Sequence, residues 1–147
     1  MKRILFTLMV VLFTITACAP ATGQPIATNE SPTPQTGDFI PGPADLNLLR
    51  GNVFLDSTEL LTMESYPLQF ALALKGSLST PCHELRVAVS PPDSQNKIVV
   101  DVYSVADPNA ICAQVLEPFE ENFPLGSFPA GHYTLWVNDE RVTEFDS

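Results

Sequence analysis

Three cysteines and two histidines are the side chains of this chain best suited to covalent or metal chemistry. Cys82 and Cys112 are 30 positions apart. Each lies in a stretch with the composition of a β-strand, residues 80–89 and 111–115, and a third strand-like stretch, residues 97–105, separates them. We expect the two thiols to be joined in a disulfide across this intervening strand.

A zinc site is the alternative for the same residues. Cys82, His83, Cys112 and His132 are the residue types of a Cys2His2 centre. Cys82 and His83 are adjacent, however, so in a strand their side chains point to opposite faces, and no pair of ligands has the usual short spacing. We therefore predict no metal site and interpret His83 as a partly buried structural histidine.

Motifs of enzymatic catalysis are absent from the sequence. It contains no Gly-x-Ser-x-Gly, no His-Glu-x-x-His and no glycine-rich phosphate loop. The acidic pairs Glu120-Glu121 and Asp139-Glu140 are interpreted as solvated loops or turns, with a calcium site as the alternative. We predict no catalytic residue, no cofactor and no enzymatic activity.

Trp136 is the side chain most suited to contact a partner. In the stretch 132–137, Tyr133, Leu135 and Val137 alternate with His132, Thr134 and Trp136, which places the tryptophan on the more polar face of a strand. Exposed tryptophans often dominate binding energy, so we predict a contact with a protein or a sugar. The alternative is that Trp136 packs under a neighbouring loop.

The first 18 residues have the order of a secretory signal. Met1-Lys2-Arg3 is basic, and residues 4–15 form an apolar run too short to span a bilayer. The ending Ile15-Thr16-Ala17-Cys18 resembles the lipobox of bacterial lipoproteins. The resemblance implies cleavage before Cys18 and acylation of its thiol, and two or three acyl chains give stable anchoring.

An extracytoplasmic location permits disulfide formation. In the chain-entropy model, a Cys82–Cys112 bond stabilises the fold by roughly 3.5 kcal/mol. Ala19 stands where an aspartate often marks retention at the inner membrane, which favours the outer membrane if the cell has one.

A proline-rich segment separates the signal from the rest of the chain. Its hydrophobic residues show no periodicity, and a disordered tether is predicted. The sequence thus divides into a signal peptide (1–17), a lipidated cysteine with its tether (18–45) and a folded domain (46–147). The prolines of the tether are Pro20, Pro25, Pro32, Pro34, Pro41 and Pro43.

The folded domain has the pattern of β-structure. Short stretches with period-two alternation are separated by turn signals such as Pro91-Pro92 and Asn138-Asp139. Residues 67–75 also suit a helix by composition, but Pro67, Gly76 and strict alternation favour a strand. The predicted strands span 51–55, 58–63, 67–75, 84–89, 97–105, 112–116, 132–137 and 141–145.

These strands predict an all-β fold, an antiparallel β-sandwich of seven to eight strands. The stretch Gly131-His132-Tyr133 resembles the Gly-x-Tyr entry to a late strand of immunoglobulin-like and fibronectin-like domains. That resemblance implies a fold and no activity, and it suggests that the Tyr133 hydroxyl bonds back to the chain. Thr-Pro-Cys-His at 80–83, Cys-x-Gln at 112–114 and Pro-Phe-Glu at 118–120 complete a motif set that resembles uncharacterised secreted bacterial domains.

The net charge excludes one class of partner. The formal charge is −10, and removal of the first 17 residues leaves 5 basic and 17 acidic side chains, a poor match to nucleic acid. We expect a lipid-anchored envelope protein whose domain binds an envelope protein or glycan. The alternative is a peptidase inhibitor or regulator acting through the 91–96 loop or the 118–126 segment.

Overall fold

The computed structural model describes residues 39–147, which form eight β-strands and one 3₁₀ helix. This confirms the predicted all-β sandwich of seven to eight strands. The predicted signal peptide, Cys18 and the tether as far as residue 38 lie outside the described residues. The elements are the 3₁₀ helix Pro43–Asn47, β1 (Leu49–Gly51), β2 (Val53–Met63), β3 (Gln69–Leu78), β4 (Glu84–Val89), β5 (Lys97–Ala106), β6 (Glu117–Gly126), β7 (His132–Val137) and β8 (Glu140–Asp146).

The strands form two sheets. Sheet I has five strands, in which β4 pairs with one edge of β5, while β1 and β7 pair with different halves of the other edge and β8 pairs with β7. Sheet II has three strands in the order β2-β3-β6. β3 is the central strand of sheet II and β5 is the central strand of sheet I.

One pairing differs from the predicted antiparallel arrangement. β5 and β7 are parallel, with Lys97 opposite Thr134 and Val100 opposite Val137. Between them the chain crosses to sheet II as β6 and then returns to sheet I. Each crossing reverses its direction, so β7 runs the same way as β5.

Period-two alternation builds the core, as predicted. Along β5, Ile98, Val100 and Val102 are at most 2% exposed, while the intervening residues are half-buried. Leu68 precedes β3 and is exposed, unlike the rest of its predicted apolar face. The buried core cluster comprises Leu72, Leu74, Leu78, Leu85, Val87, Ile98, Val100, Val102, Phe123, Tyr133, Leu135 and Val137.

Two strand predictions were wrong at their boundaries. Residues 51–55 and 58–63 belong mostly to one strand, β2, because a bulge between Leu55 and Ser57 restores its pairing with β3. Residues 112–116 form a loop, and the strand begins at Glu117. Glu120 and Glu121 therefore lie on β6 and not in a loop, and the same holds for the predicted inhibitory segment 118–126.

The prolines of β6 explain why no strand was predicted over residues 117–126. Pro118 and Pro124 would each interrupt a central strand, but β6 is an edge of sheet II, where a missing N–H is tolerated. Glu121 pairs with the buried Leu74 and so shares the inner side of the sheet. Prolines and an inward-pointing charge both hinder pairing of an edge strand with a second chain.

The two ends of the sandwich are built differently. The aromatic end contains the rings of Phe70, Phe128, Tyr133 and Phe145, whose centroids lie 4.6–5.8 Å apart in the contacting pairs. Tyr133 Oη also donates to the Pro129 carbonyl at 2.8 Å, as the predicted corner tyrosine would. The disulfide end, where β3 and β5 finish and β4 and β6 begin, contains Cys82 and Cys112.

Residues before position 46 contact the sandwich. Phe39 packs against the core cluster, and Asp45 in the 3₁₀ helix binds Arg86 on β4. Within residues 39–147, none of the helices is both long enough and apolar enough to cross a membrane.

Candidate binding surfaces

The disulfide joins two loops at one end of sheet I. Cys82 lies just before β4 and Cys112 lies in the loop after β5, with 6.0 Å between their Cα atoms. Because β4 and β5 are antiparallel, with Glu84 opposite Val105, the start of one strand adjoins the finish of the other. The predicted bond is present, but neither cysteine lies on a strand, and the bond closes the end of the β4–β5 pair.

The four side chains considered for zinc are engaged elsewhere. Both cysteine Sγ atoms belong to the disulfide. The half-buried His83 shares a 2.8 Å hydrogen bond between its Nδ1 and Thr80 Oγ1, and the exposed His132 bonds Asp146. In the part of the chain that the structure describes, no three His, Cys, Asp or Glu side chains are arranged to hold a metal ion.

A shallow cavity of about 400 Å³ adjoins the disulfide. His83 lines it together with Arg50, Leu49, Ala110 and Gln114. The His83 ring lies so close to β1 that a Cβ on Gly51 would stand 3.2 Å from its Nε2. Glycine at this position therefore lets β1 approach the histidine.

The loop 107–116 is held by short-range bonds as well as by Cys112. Asp107 Oδ1 accepts hydrogen bonds from the Asn109 backbone N–H at 2.8 Å and from its side-chain amide at 3.2 Å. The Ala110 N–H donates to the Asp107 carbonyl at 3.1 Å. These bonds form an Asx-type turn that fixes the backbone leading into Ile111.

Apolar side chains are exposed around this loop. Ile111, next to the bonded Cys112, is 102% exposed relative to its reference state, and four further residues at the disulfide end are more than half exposed. The sequence offered one signal of this surface, the apolar residues between Pro108 and Pro118 that lack alternation. The strand-like composition of residues 112–116 led instead to the prediction of a strand there. The four further residues are Leu46, Leu49, Val115 and Leu116.

Trp136 lies on the outer face of sheet I, as the alternation predicted. Its side chain is half-buried, and Lys97 Nζ stands 4.2 Å from the ring centroid in a cation–π contact. Its Nε1 donates to Thr134 Oγ1 at 3.3 Å. The ring is thus partly covered by a lysine, and a partner would have to displace that lysine to stack on the same ring face.

A second aromatic side chain on this face is covered in the same way. The Arg50 guanidinium lies 3.7 Å from the centroid of the Tyr103 ring. Its Nη2 donates to both carboxylate oxygens of Asp101 at 2.7 Å. These contacts fix Arg50 between a ring and a carboxylate.

Arg86 is the charged side chain most enclosed by the fold. Its Nε and Nη2 donate to the Asp45 carboxylate at 2.9–3.1 Å, its Nη2 donates to Glu84 Oε2 at 2.7 Å, and its Nη1 donates to the Leu85 carbonyl at 3.0 Å. The Arg86 hydrogen bonds, followed by one from the Gly42 backbone N–H, hold the pKa of Asp45 below its usual value. This pair fastens the 3₁₀ helix to β4.

His132 is linked to the end of β8. Its Nδ1 lies 2.8 Å from Asp146 Oδ1 and its Nε2 lies 3.7 Å from Glu144 Oε2. The Asp146 hydrogen bond is the largest cause of a raised pKa for His132. The imidazole therefore keeps its proton to a higher pH than a free histidine does.

Asn138 joins the two halves of sheet I. It begins the predicted turn with Asp139, and both residues have positive φ, 47° and 67°, as in hairpin turns of type I′. The Asn138 side-chain oxygen accepts from the Val102 N–H at 2.7 Å, and its side-chain nitrogen donates to the Val102 carbonyl at 2.9 Å. One side chain thereby fills the ladder between β7 and β1.

These features define a disulfide-bonded β-sandwich with two chemically different candidate surfaces. One is the apolar disulfide end around Ile111, and the other is the outer face of sheet I around Trp136. A family model described as the ORF11 beta-sandwich domain matches residues 72–147. The chain therefore belongs to the ORF11 beta-sandwich domain family. The match begins within β3, so β1, β2 and the 3₁₀ helix precede it. No curated protein and no solved structure matches the chain.

Proposed function

We propose that this protein is a lipid-anchored protein of the cell envelope, whose β-sandwich is a non-catalytic binding module for a protein or a glycan. Acyl chains on Cys18 would hold it at a membrane, facing away from the cytoplasm. Residues 19–38 would connect the anchor to the sandwich. The lipobox-like ending Ile15-Thr16-Ala17-Cys18 is the basis for the anchor.

The disulfide supports an extracytoplasmic location. Disulfides persist in oxidising compartments and are rare in the cytosol. The Cys82–Cys112 bond therefore agrees with export directed by the basic and apolar segments of residues 1–15.

Exposed apolar residues at the disulfide end are the observation that carries the binding role. Isolated apolar residues are common on protein surfaces, whereas a group of them marks an interaction site. Ile111, Leu49 and Leu46 belong to this group and are all more than 60% exposed. Neither sheet needs these side chains for its core.

The arrangement of the histidines supports a non-catalytic role. His83 is bonded to Thr80 near the disulfide, and His132 is bonded to Asp146 at the aromatic end. His83 precedes β4 at the disulfide end and His132 begins β7 at the aromatic end, so the two histidines do not act jointly as acid and base.

Fractionation of cells that carry the Cys18→Ala variant tests the anchor. We expect the wild-type protein in membranes and the variant in soluble fractions, because acylation needs the thiol. Cys82→Ala/Cys112→Ala is the matched control and should stay with the membranes. A Cys18→Ala protein that remains membrane-bound at wild-type levels would contradict lipid anchoring.

A peptidase regulator is the second candidate function. The exposed 91–96 loop is rigid in a way that suits such a role, because Asp93 Oδ1 accepts from the N–H groups of Gln95 and Lys97 at 2.8 and 2.9 Å. Inhibition of a co-secreted peptidase, lost on Asp93→Ala and retained in Ile111→Asp, would favour this function. No inhibition of co-secreted peptidases by the purified protein would remove it.

A further inference from the structure

We propose that the disulfide end of the sandwich is a docking surface for a protein that offers an apolar pocket with a basic rim. The inference deepens the proposed binding role and does not depend on the lipid anchor. The partner is a protein and not a glycan, because the described loop 107–116 exposes aliphatic side chains and contains no aromatic ring.

The centre of this docking surface is apolar. Ile111 is fully exposed to solvent. Ala110, which precedes Ile111 in the chain, lines the same cavity as Leu49. Val115 and Leu116 precede the first residue of β6, which pairs with the last residue of β3 at the same end. Burial of such aliphatic side chains against a partner favours association.

The surface is held in shape before any partner arrives. The disulfide ties Cys112, the residue that follows Ile111, to Cys82 just before β4, and the Asp107 turn fixes the residues that precede Ile111. A preorganised loop loses less conformational entropy on binding than a flexible one. Ile111 is therefore suited to act as the central contact.

The rim of the surface is acidic. Asp107 lies at one side of the loop, and Glu117 follows Leu116 directly. Within residues 39–147, no ion pair involves either carboxylate, whereas Arg50 pairs with Asp101 and Arg86 pairs with Asp45 and Glu84. Residues 39–147 carry fifteen acidic and five basic side chains, so a basic rim on the partner would be attracted at long range as well.

The same charges disfavour two other occupants. A second copy of this chain would bring the same two carboxylates to the same surface, and like charges that face each other across an interface are costly. A bilayer with anionic headgroups would repel the acidic rim. Charge complementarity therefore favours a basic protein.

Site-specific photo-crosslinking in the native cells tests the proposal. A benzophenone amino acid is placed in the full chain at position 111 or, as a matched control, at position 66, because Tyr66 is also fully exposed but lies between β2 and β3 at the opposite end. We expect an adduct with one protein at position 111 and not at 66. The yield should fall by about tenfold when Asp107→Lys and Glu117→Lys reverse the rim.

Each other outcome overturns the inference. An adduct with a second copy or with lipid would assign the surface to that occupant. An adduct that survives reversal of both rim charges, or one whose crosslinked partner peptide lacks basic residues, would remove the charge argument. Adducts at position 66 alone would keep the binding role and reject this surface, whereas no adduct at either position would count against the binding role as well. Thermal melting of each variant establishes that it is folded.

Discussion

The two ends of the sandwich achieve closure by different means. At the aromatic end, Phe70, Phe128, Tyr133 and Phe145 pack ring against ring, and Phe70 is only 1% exposed. At the disulfide end, one covalent bond joins the loops, while the apolar side chains around it face solvent. One end buries its apolar side chains, and the other leaves several apolar side chains exposed.

This difference follows from what a disulfide does. A cross-link stabilises a fold chiefly by restricting the unfolded chain, so it does not require buried side chains at its own location. A cluster of rings stabilises a fold only when the rings are buried. A covalently closed end therefore permits an exposed apolar loop that packing alone would not hold in place.

Removal of one ring from the aromatic end should have the largest effect. Phe70→Ala leaves a cavity beside Phe145, whose ring centroid is 4.6 Å away, and should lower the free energy of unfolding by about 4 kcal/mol. Phe54→Ala, an exposed position on the neighbouring strand, should cost well under about 1 kcal/mol. Urea denaturation measures both. Equal effects of the two variants would mean that the rings do not close this end.

Loss of the covalent bond is the corresponding test at the other end. Cys82→Ala/Cys112→Ala should lower the free energy of unfolding by roughly 3.5 kcal/mol, because the unfolded chain regains the freedom of a long loop. Chemical reduction of the wild-type protein should produce the same loss in urea denaturation. A double variant as stable as the oxidised protein would show that this end is closed by packing after all.

Loss of the Asn138 side chain, which fills the ladder between β7 and β1, should have the next largest effect on stability. Asn138→Ala removes both partners of the Val102 backbone and places alanine at a positive φ, so the free energy of unfolding should fall by about 2 kcal/mol. Asn138→Gly removes the same hydrogen bonds without the backbone strain and should cost less. If Asn138→Gly is as stable as the wild type in urea denaturation, the side-chain amide is not needed to fill the ladder.

The smallest expected effect concerns the charge at the aromatic end. Because the folded pKa of His132 is raised, the interaction with Asp146 contributes stability below pH 6.5, the unfolded value, and loses it as the pH rises through the folded pKa. NMR titration should give a pKa above 6.5 that falls in Asp146→Asn. Glu144→Gln should lower it less, since its carboxylate is more distant. An unchanged pKa in Asp146→Asn would exclude this pair.

The sequence predicted the parts of the fold that follow from local alternation and turn chemistry. The burial of Ile98, Val100 and Val102 required only period two, and the Asn138-Asp139 turn required only residues that tolerate positive φ. The disulfide was also predictable, because Cys82 and Cys112 are the two cysteines of a domain that the sequence predicted to be exported.

Features that depend on partners distant in the chain were not predictable in the same way. The assignment of β6 required knowledge that it is an edge strand, since Pro118 and Pro124 argue against a strand otherwise. The lysine over Trp136 depends on the parallel pairing of β5 with β7, which no local pattern encodes. The exposure of Ile111 follows from the loop at the disulfide end, where strand composition was misleading.

The mass of the intact mature protein from its own membranes, measured with and without reduction, tests the account most directly. We predict a chain that begins at Cys18, carries two or three acyl chains and gains about two hydrogens on reduction of the Cys82–Cys112 bond. An unlipidated mass would contradict the membrane anchor. Free thiols at Cys82 and Cys112 would contradict the covalent closure on which the proposed docking surface rests.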